Sequence, residues 1–453
     1  MMQTLEHTID TDLGQKNVGR LLLQYSIPAI VATVATSLYN LIDRIFIGQI
    51  VGALAISGVT ITMPLMNIAT AFGMLVSTGA ASIISIRLGA NRRDDAEHTF
   101  GNGMILTLLI SVLLSALGLF FLDDLLYLFG ASGLTISYAR NFMRIILIGN
   151  PITQAFFYLN SVLRSSGYPS KAMWAVLVTM IVNVLMVYVF VYLLDLGVDG
   201  AALATIWGQA AGFVWVMWHF CHNNSHIHFK KHIYGLRWNI IRHVFSIGLS
   251  PYLLHLCTCM VVALFNWQLG NYAGDYAIGA YGIINTIVSL VTVIVVGLSH
   301  GMQPIVGYNY GASQPARVTK TLWLTIWIGV GITILGYFIM NVFPDELAAC
   351  FTQNVVMTDL ICSGMQLFTM AFPILGFQIV VSIFFQSIGR AKLSIFLSLT
   401  RQVIFLVPLL IILPRYMGLK GIWLSVPISD FVSTVVTGVL LILNYNKIGT
   451  KIE

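Results

Sequence analysis

The sequence predicts an all-α polytopic membrane protein, with twelve transmembrane helices in two pseudo-symmetric six-helix bundles. Three observations carry that prediction. Hydrophobic residues make up 58% of the 453-residue chain and charged residues 9%, with a mean hydropathy of +0.87, whereas soluble domains are roughly 25% charged. Twelve apolar runs reach the ~20 residues that a helix needs to cross a bilayer. The motifs of the first half also recur in the second at a nearly constant spacing.

The runs lie near 20–46, 54–86, 99–122, 134–161, 171–194, 200–221, 242–269, 277–308, 318–342, 357–386, 393–413 and 419–444. Short connections separate them, many with helix-ending Gly or Pro, such as Gly89–Asp95, Ser166–Ser170, Gly311–Pro315 and Gly389–Lys392. The longest, Cys221 to Arg242, holds Lys230, Lys231, Arg237, Arg242 and four of the ten histidines. It divides the chain into an N-terminal lobe (1–222), a cytoplasmic basic linker (223–241) and a C-terminal lobe (242–453). The first 18 residues are polar and acidic, with Glu6, Asp10 and Asp12. No short apolar run with a cleavage site follows, so no cleavable signal peptide is expected.

Charge placement sets the orientation. With the N-terminus inside, the tails and alternate loops collect 17 of the 23 basic residues, as the positive-inside rule requires. The other loops hold Asp123, Asp124, Asp195, Asp199, Asp275, Asp345 and Glu346. Both termini are therefore expected in the cytoplasm. The net charge of +6 is a topology signal, and nucleic acid is not an expected partner. The five cysteines fall in or near apolar segments. Cys257 and Cys259 point about 200° apart on a helix, which favours buried structural thiols over a metal site.

The repeat is long. LGANRRDDA after the second run matches YGASQPARV after the eighth, with Gly89 against Gly311. LRSSGYPSK matches FQSIGRAK, Gly167 against Gly389, and GVDGAALATIWGQ matches GLKGIWLSVPISD, Gly200 against Gly421. Six spans per half is an even number. Both halves then enter the membrane in the same sense, related by an axis along the membrane normal, with a central cleft expected between them.

Few polar groups interrupt the runs, and each is a candidate. Asp43 lies inside the first run, where a carboxylate costs about 2.5–3.5 kcal/mol even on lenient insertion scales. Thr36, Tyr39, Asn40 and Asp43 share one helical face, and Pro28 supplies a bend point. Asp430 in the last run reads either as an acid paired with a nearby base or hydroxyl or as a transport residue. Asn160, Asn183, Thr205 and Gln209 are the further candidates of the first half. Asn285, Ser289, Thr292, Ser299 and Gln303 form a stripe in the second, and a stripe suits a cavity wall better than a lone amide does. His255 and His300 are read as structural groups. The 18 Met and 26 Phe can line a soft pocket, and an aromatic wall beside a carboxylate suits an organic cation.

LYNLIDRIFIG in the first span, LGAN after the second, GYNYGA after the eighth and FFQSIGRAK after the tenth resemble the multidrug and toxic compound extrusion (MATE) family over nearly the whole chain. The resemblance implies a multi-pass antiporter of the bacterial inner membrane, and a monomer is the expected form. It would export small organic cations in exchange for H+, with Na+ as the alternative coupling ion and no cofactor. It assigns ion coupling to Asp43, Asn160, Asn183 and Thr205, and the bend to Pro28. For substrate contact the expected residues are Tyr39, Asn40, Gln209, Asn285, Ser289 and Asp430. The family's second carboxylate, four positions after Asn183, is replaced here by Val187, which weakens a Na+ site because Na+ prefers several hard oxygen ligands. The rival expectation is a flippase for a lipid-linked oligosaccharide or peptidoglycan precursor on a related fold. That activity calls for a cleft rich in Arg and Lys, and the in-membrane bases are only Arg44, Arg140, Arg144 and Arg401. No nucleophile–base set, phosphate loop or metal-ligand cluster suggests an enzyme.

Overall fold

A computed structural model describes residues 13–46, 53–221, 227–352 and 354–445, without the side chains of 39–46, 53, 54, 56, 231, 232 and 275. The described residues contain helices and no strand. Among the described residues eleven helices are long and apolar enough to cross a membrane, and twelve spans result if one bent pair is counted as a single span. Serine and threonine are accommodated in these helices by bonding back to their own backbone. Thr107 donates to Gly103 O at 2.8 Å, Thr179 to Ala175 O at 3.0 Å and Thr205 to Ala201 O at 3.0 Å. This satisfies the hydroxyl within an apolar helix.

Two compact units result. The first takes Val31–Tyr252. It contains the later part of α1 (Val18–Phe46), then α2 (Ala53–Gly89), α3 (Arg93–Phe120), the short α4 (Leu122–Leu128) and α5 (Ile136–Ser165). α6 (Pro169–Val187), with a π-helical end over Tyr188–Leu193, and α7 (Gly197–Cys221) complete it. A polar ladder on α5 holds its middle together. Asn150 Nδ2 donates to Ser111 O and Ser115 Oγ, at 3.3 and 3.2 Å. Gln154 Nε2 donates to Ala69 O at 3.0 Å and Tyr158 Oη to Phe100 O at 2.7 Å. The three residues are spaced by four, so one face of α5 ties itself to α2 and α3.

The second unit takes Asn17–Ile30 and the chain from Leu253 onward. Its helices are α8 (Trp238–Ala273, from Leu253), α9 (Asp275–Gly311), α10 (Pro315–Val342), the short α11 (Pro344–Ala349), α12 (Val355–Phe368) and α13 (Phe372–Ser387). α14 (Ala391–Leu399) runs through a π-helical stretch, Thr400–Leu406, into α15 (Val407–Met417), and α16 (Leu419–Tyr445) follows. Phe265 and Tyr281 stack at 4.5 Å in its core, beside Phe368 and the buried Trp423.

The boundaries between the compact units themselves fall inside helices, between Ile30 and Val31 in α1, two residues after Pro28, and between Tyr252 and Leu253 in α8, one residue after Pro251. A proline removes a backbone hydrogen bond, and in each of these helices the packing partners change at that point. The structure departs from the sequence expectations in two places. The expected span 357–386 is broken by 58° between α12 and α13, where Pro373 occupies the first turn of the second piece and cannot extend the first. Its repeat counterpart, Pro151, sits inside the unbroken α5, so proline alone does not force the break. Asp123, Asp124, Asp345 and Glu346, read as loop acids, sit in the first turns of α4 and α11, where the helix dipole favours them.

The described part of the basic linker, 227–237, is strapped onto α3. Lys230 Nζ lies 2.7 Å from each carboxylate oxygen of the buried Glu97. Asn102, also buried, donates to Gly235 O at 2.9 Å and to Ile233 O at 3.3 Å, and accepts from Arg237 N at 2.8 Å. Arg237 reaches His98 Nε2 at 2.7 Å and Asp95 at 3.6 Å. A Cβ added at Gly101 would stand 2.4 Å from Ile233 O, so only glycine admits the strap there. Lys230 and Arg237 thus serve the acids of NRRDDAE at the start of α3. Asn102→Ala is expected to destabilise the chain by about 1–3 kcal/mol, because it strands buried backbone groups. A lower thermal unfolding midpoint and new proteolytic cleavage within 227–237 would report it.

Candidate functional site

α1, α5, α6 and α7 enclose a cavity inside the first unit. Ala35 and Thr36 come from α1, Phe156 and Phe157 from α5, Val176, Thr179 and Met180 from α6, and Gln209 from α7. The helices meet closely because α7 presents glycine at the crossing. A Cβ added at Gly208 would lie 2.7 Å from Thr179 O and 2.9 Å from Asn183 Cβ. Gln209 is fixed by Thr153 Oγ1, which donates to its Oε1. No lining residue carries a charge, and the polar atoms are two hydroxyls and one amide. The cavity volume is about 30 Å³, room for one or two waters, whereas drug-sized pockets span roughly 300–1,000 Å³. In this state it can host a water-borne proton or a small ion, and a drug does not fit.

The expected residues distribute around this cavity unevenly. Gln209 lies in its wall. Asn183 and Thr205 sit one helical turn from Thr179 and Gln209 on the same faces. Asn183 is fully buried, and neither its Oδ1 nor its Nδ2 has a partner among the described residues. Thr205 spends its hydroxyl on its own helix. Asn160 is one turn from Phe156 on α5, half-buried, with Oδ1 likewise unpartnered among the described residues. The α1 backbone is helical through Tyr39, Asn40, Asp43 and Arg44, but their side chains lie outside the described residues. Val187 packs in an apolar cluster with Ala55, Val59, Phe142 and Val191.

The remaining expected residues belong to the second unit. Asn285 and Ser289 are exposed on α9, and Ser289 Oγ donates to Thr286 O at 2.7 Å. Asp430 is buried on α16 and bonded at 2.6 Å to Arg401 Nε. Sequence reasoning missed Thr153, Thr179 and the Asn150–Gln154–Tyr158 ladder. The ladder's spacing of four on one helix was the available signal.

Two units of long apolar helices, repeated along one chain, define a multi-pass membrane protein. The MatE family model matches the chain twice, over residues 28–189 and 251–412. The chain belongs to the MatE family, as its motifs led us to expect. It is similar to the multidrug export protein MepA of Staphylococcus haemolyticus, at 25% identity over 431 residues and 92% of each chain. The fold is shared with a solved outward-facing multidrug resistance MATE family transporter of the MOP superfamily, at TM-score 0.91 and 22% identity, over 97% of this chain and 98% of the other. A MOP superfamily transporter from Pyrococcus furiosus, whose binding pocket is described as of reverse polarity suggesting a different function, matches at the same TM-score, identity and coverage.

Gly208→Ala is expected to push α6 and α7 apart and cost about 1–3 kcal/mol, seen as a lower melting temperature. Thr153→Val should leave expression intact while freeing Gln209, and it should slow substrate efflux in the transport assay given below.

Proposed function

We propose that this chain is a secondary active antiporter, exporting small organic cations across the bacterial inner membrane in exchange for protons, with Asp43 as the coupling acid. The observation that carries the reading is Thr36 in the cavity wall. It stands seven residues, about two helical turns, before Asp43, a spacing that supports a polar path along α1. Asn183, with its buried and unpartnered amide, supports it too, since such a group commonly marks a functional site.

The multidrug export role of the MepA relatives supports the direction and the breadth of substrates. Fold alone does not, because the same fold carries pockets of opposite polarity. The apolar cluster around Val187 leaves a single first-half acid for coupling, which favours a proton over Na+. One proton driven by 100 mV is worth about 2.3 kcal/mol, or roughly 50-fold accumulation. Of the few in-membrane bases, Arg140 is paired with Asp123 and Arg401 with Asp430, which weighs against pyrophosphate binding by a flippase.

In the proposed cycle Asp43 alternates between ionised and protonated. Asn160, Asn183 and Thr205 surround the ion path, and α1 bends at Pro28 as the lobes alternate access. Tyr39, Asn40 and Gln209 contact substrate in the N-terminal lobe (1–222). Asn285 and Ser289 do so from the C-terminal lobe (242–453), and Asp430 joins them only when its pair with Arg401 opens. The functional unit is a monomer with both termini cytoplasmic, embedded in membrane lipid.

The test is uptake of a fluorescent cation into everted vesicles under an imposed pH gradient, with and without Na+. The wild type is expected to respond to the gradient without Na+, and Asp43→Asn to lose transport while expressing normally. Full transport by that variant, or a strict Na+ requirement, would overturn the coupling scheme. Pro28→Ala should slow turnover several-fold while keeping substrate affinity within about twofold.

A further inference from the structure

The repeat lets the wall of the first-unit cavity be carried onto the second unit position by position. Aligning Pro28 with Pro251 places Thr258 at the position of Ala35. Aligning Gly167 with Gly389 places Arg401 and Gln402 at the positions of Thr179 and Met180. Aligning Gly200 with Gly421 places Asp430 at the position of Gln209. The packing independently supports the register. A Cβ at Gly208 would abut Thr179 O at 2.7 Å, and at the matching position Ser429 Oγ donates to Arg401 O at 2.6 Å.

These image residues form two separate bonded pairs. Arg401 Nε donates to Asp430 Oδ1 at 2.6 Å, and Gln402 Nε2 donates to Thr258 Oγ1 at 3.0 Å. So where the first unit keeps a neutral hollow, the second has an acid at the same address and a guanidinium lying on it. The fold does not require this pair, since the first unit builds the same crossing from Thr179 and Gln209. A buried ion pair is also weak stabilisation compared with apolar packing.

Two details show how the guanidinium is held. Arg401 uses Nε alone, and its terminal nitrogens make no hydrogen bond among the described residues. The planar fork that gives arginine its strongest carboxylate geometry goes unused. The exposure is graded as well: the Arg401 side chain is 26% exposed and that of Asp430 5%. Of the two side chains the cation is the more accessible.

We infer that the second unit holds its own organic-cation site, the repeat image of the first-unit cavity, at which Asp430 is the acceptor and Arg401 is a resident cation that a guanidine- or amidine-bearing ligand displaces. A flat, delocalised cation fits because it can offer Asp430 the two parallel N–H donors that Arg401 withholds. The inference rests on the reading above that Asp430 contacts organic cations, and on the Arg401–Asp430 geometry; it does not depend on Asp43 as the coupling acid.

The test uses the purified full-length chain in detergent, with methylguanidinium as the probe and methylurea as its neutral match. Arg401→Ala is expected to lower the thermal midpoint by several degrees. Methylguanidinium at about 10 mM should raise it again by at least about 3 °C, as a ligand bound only to the folded state does. The wild type should not respond to this small probe. Arg401→Ala/Asp430→Asn should not respond either, and methylurea should act on none of them. If Arg401→Ala does not yield folded protein, Arg401→Gln takes its place in the same comparison. Displacement itself is read from benzamidinium bound to the wild type by equilibrium dialysis, which should fall by one site per chain in Asp430→Asn. No rescue, equal rescue in the double variant, or an unchanged benzamidinium stoichiometry would each overturn the inference. Asp43→Asn should leave the rescue intact when placed in the Arg401→Ala background, so failure of the coupling reading is distinguishable from failure of this one.

Discussion

A hydrocarbon slab offers no partner to a stray N–H or hydroxyl, and this single constraint shapes most of the chain. Threonines turn back onto their own helices. Asn150, Gln154 and Tyr158 find carbonyls on α2 and α3. Arg401 finds Asp430. Against so much satisfaction Asn160 and Asn183, whose amides include atoms with no partner among the described residues, stand out. Both lie within a turn of the first-unit cavity wall, where a small polar guest can complete them.

The span pattern and the repeat were legible because each rests on many residues at once: twenty apolar positions per helix, and matched glycines at the connections. What escaped depends on single neighbours. Nothing local in the sequence tells that packing changes over after Pro28 and Pro251, since the helix continues through both. Pro151 and Pro373 look alike as letters, yet only the second starts a new helix. The basic stretch 227–237 reads as a topology signal, and its attachment depends on Glu97 and Asn102, more than a hundred positions away. Of the site, Gln209 was readable as an amide inside an apolar run. Thr179 was not, because an intramembrane threonine ordinarily serves its own helix, and this one does both.

The two halves show how far a duplicated backbone can diverge chemically while conserving its crossing points. Glycine and serine, Gly208 and Ser429, sit against the same carbonyl position. Around that fixed contact, one copy has drifted to a small neutral hollow and the other to an ion pair. Backbone geometry is retained because helix packing leaves little tolerance at the crossing. Side chains one turn away are freer to specialise.

The strap over α3 has a consequence for how such a chain is joined. Connections between duplicated halves are ordinarily slack, and their length wanders because exposed loops absorb insertions easily. Here one asparagine grips the segment at three backbone groups and a glycine leaves it no clearance. The stretch leading into α8 is therefore gauged to the residue, and it fixes where that helix begins as firmly as any turn within a bundle.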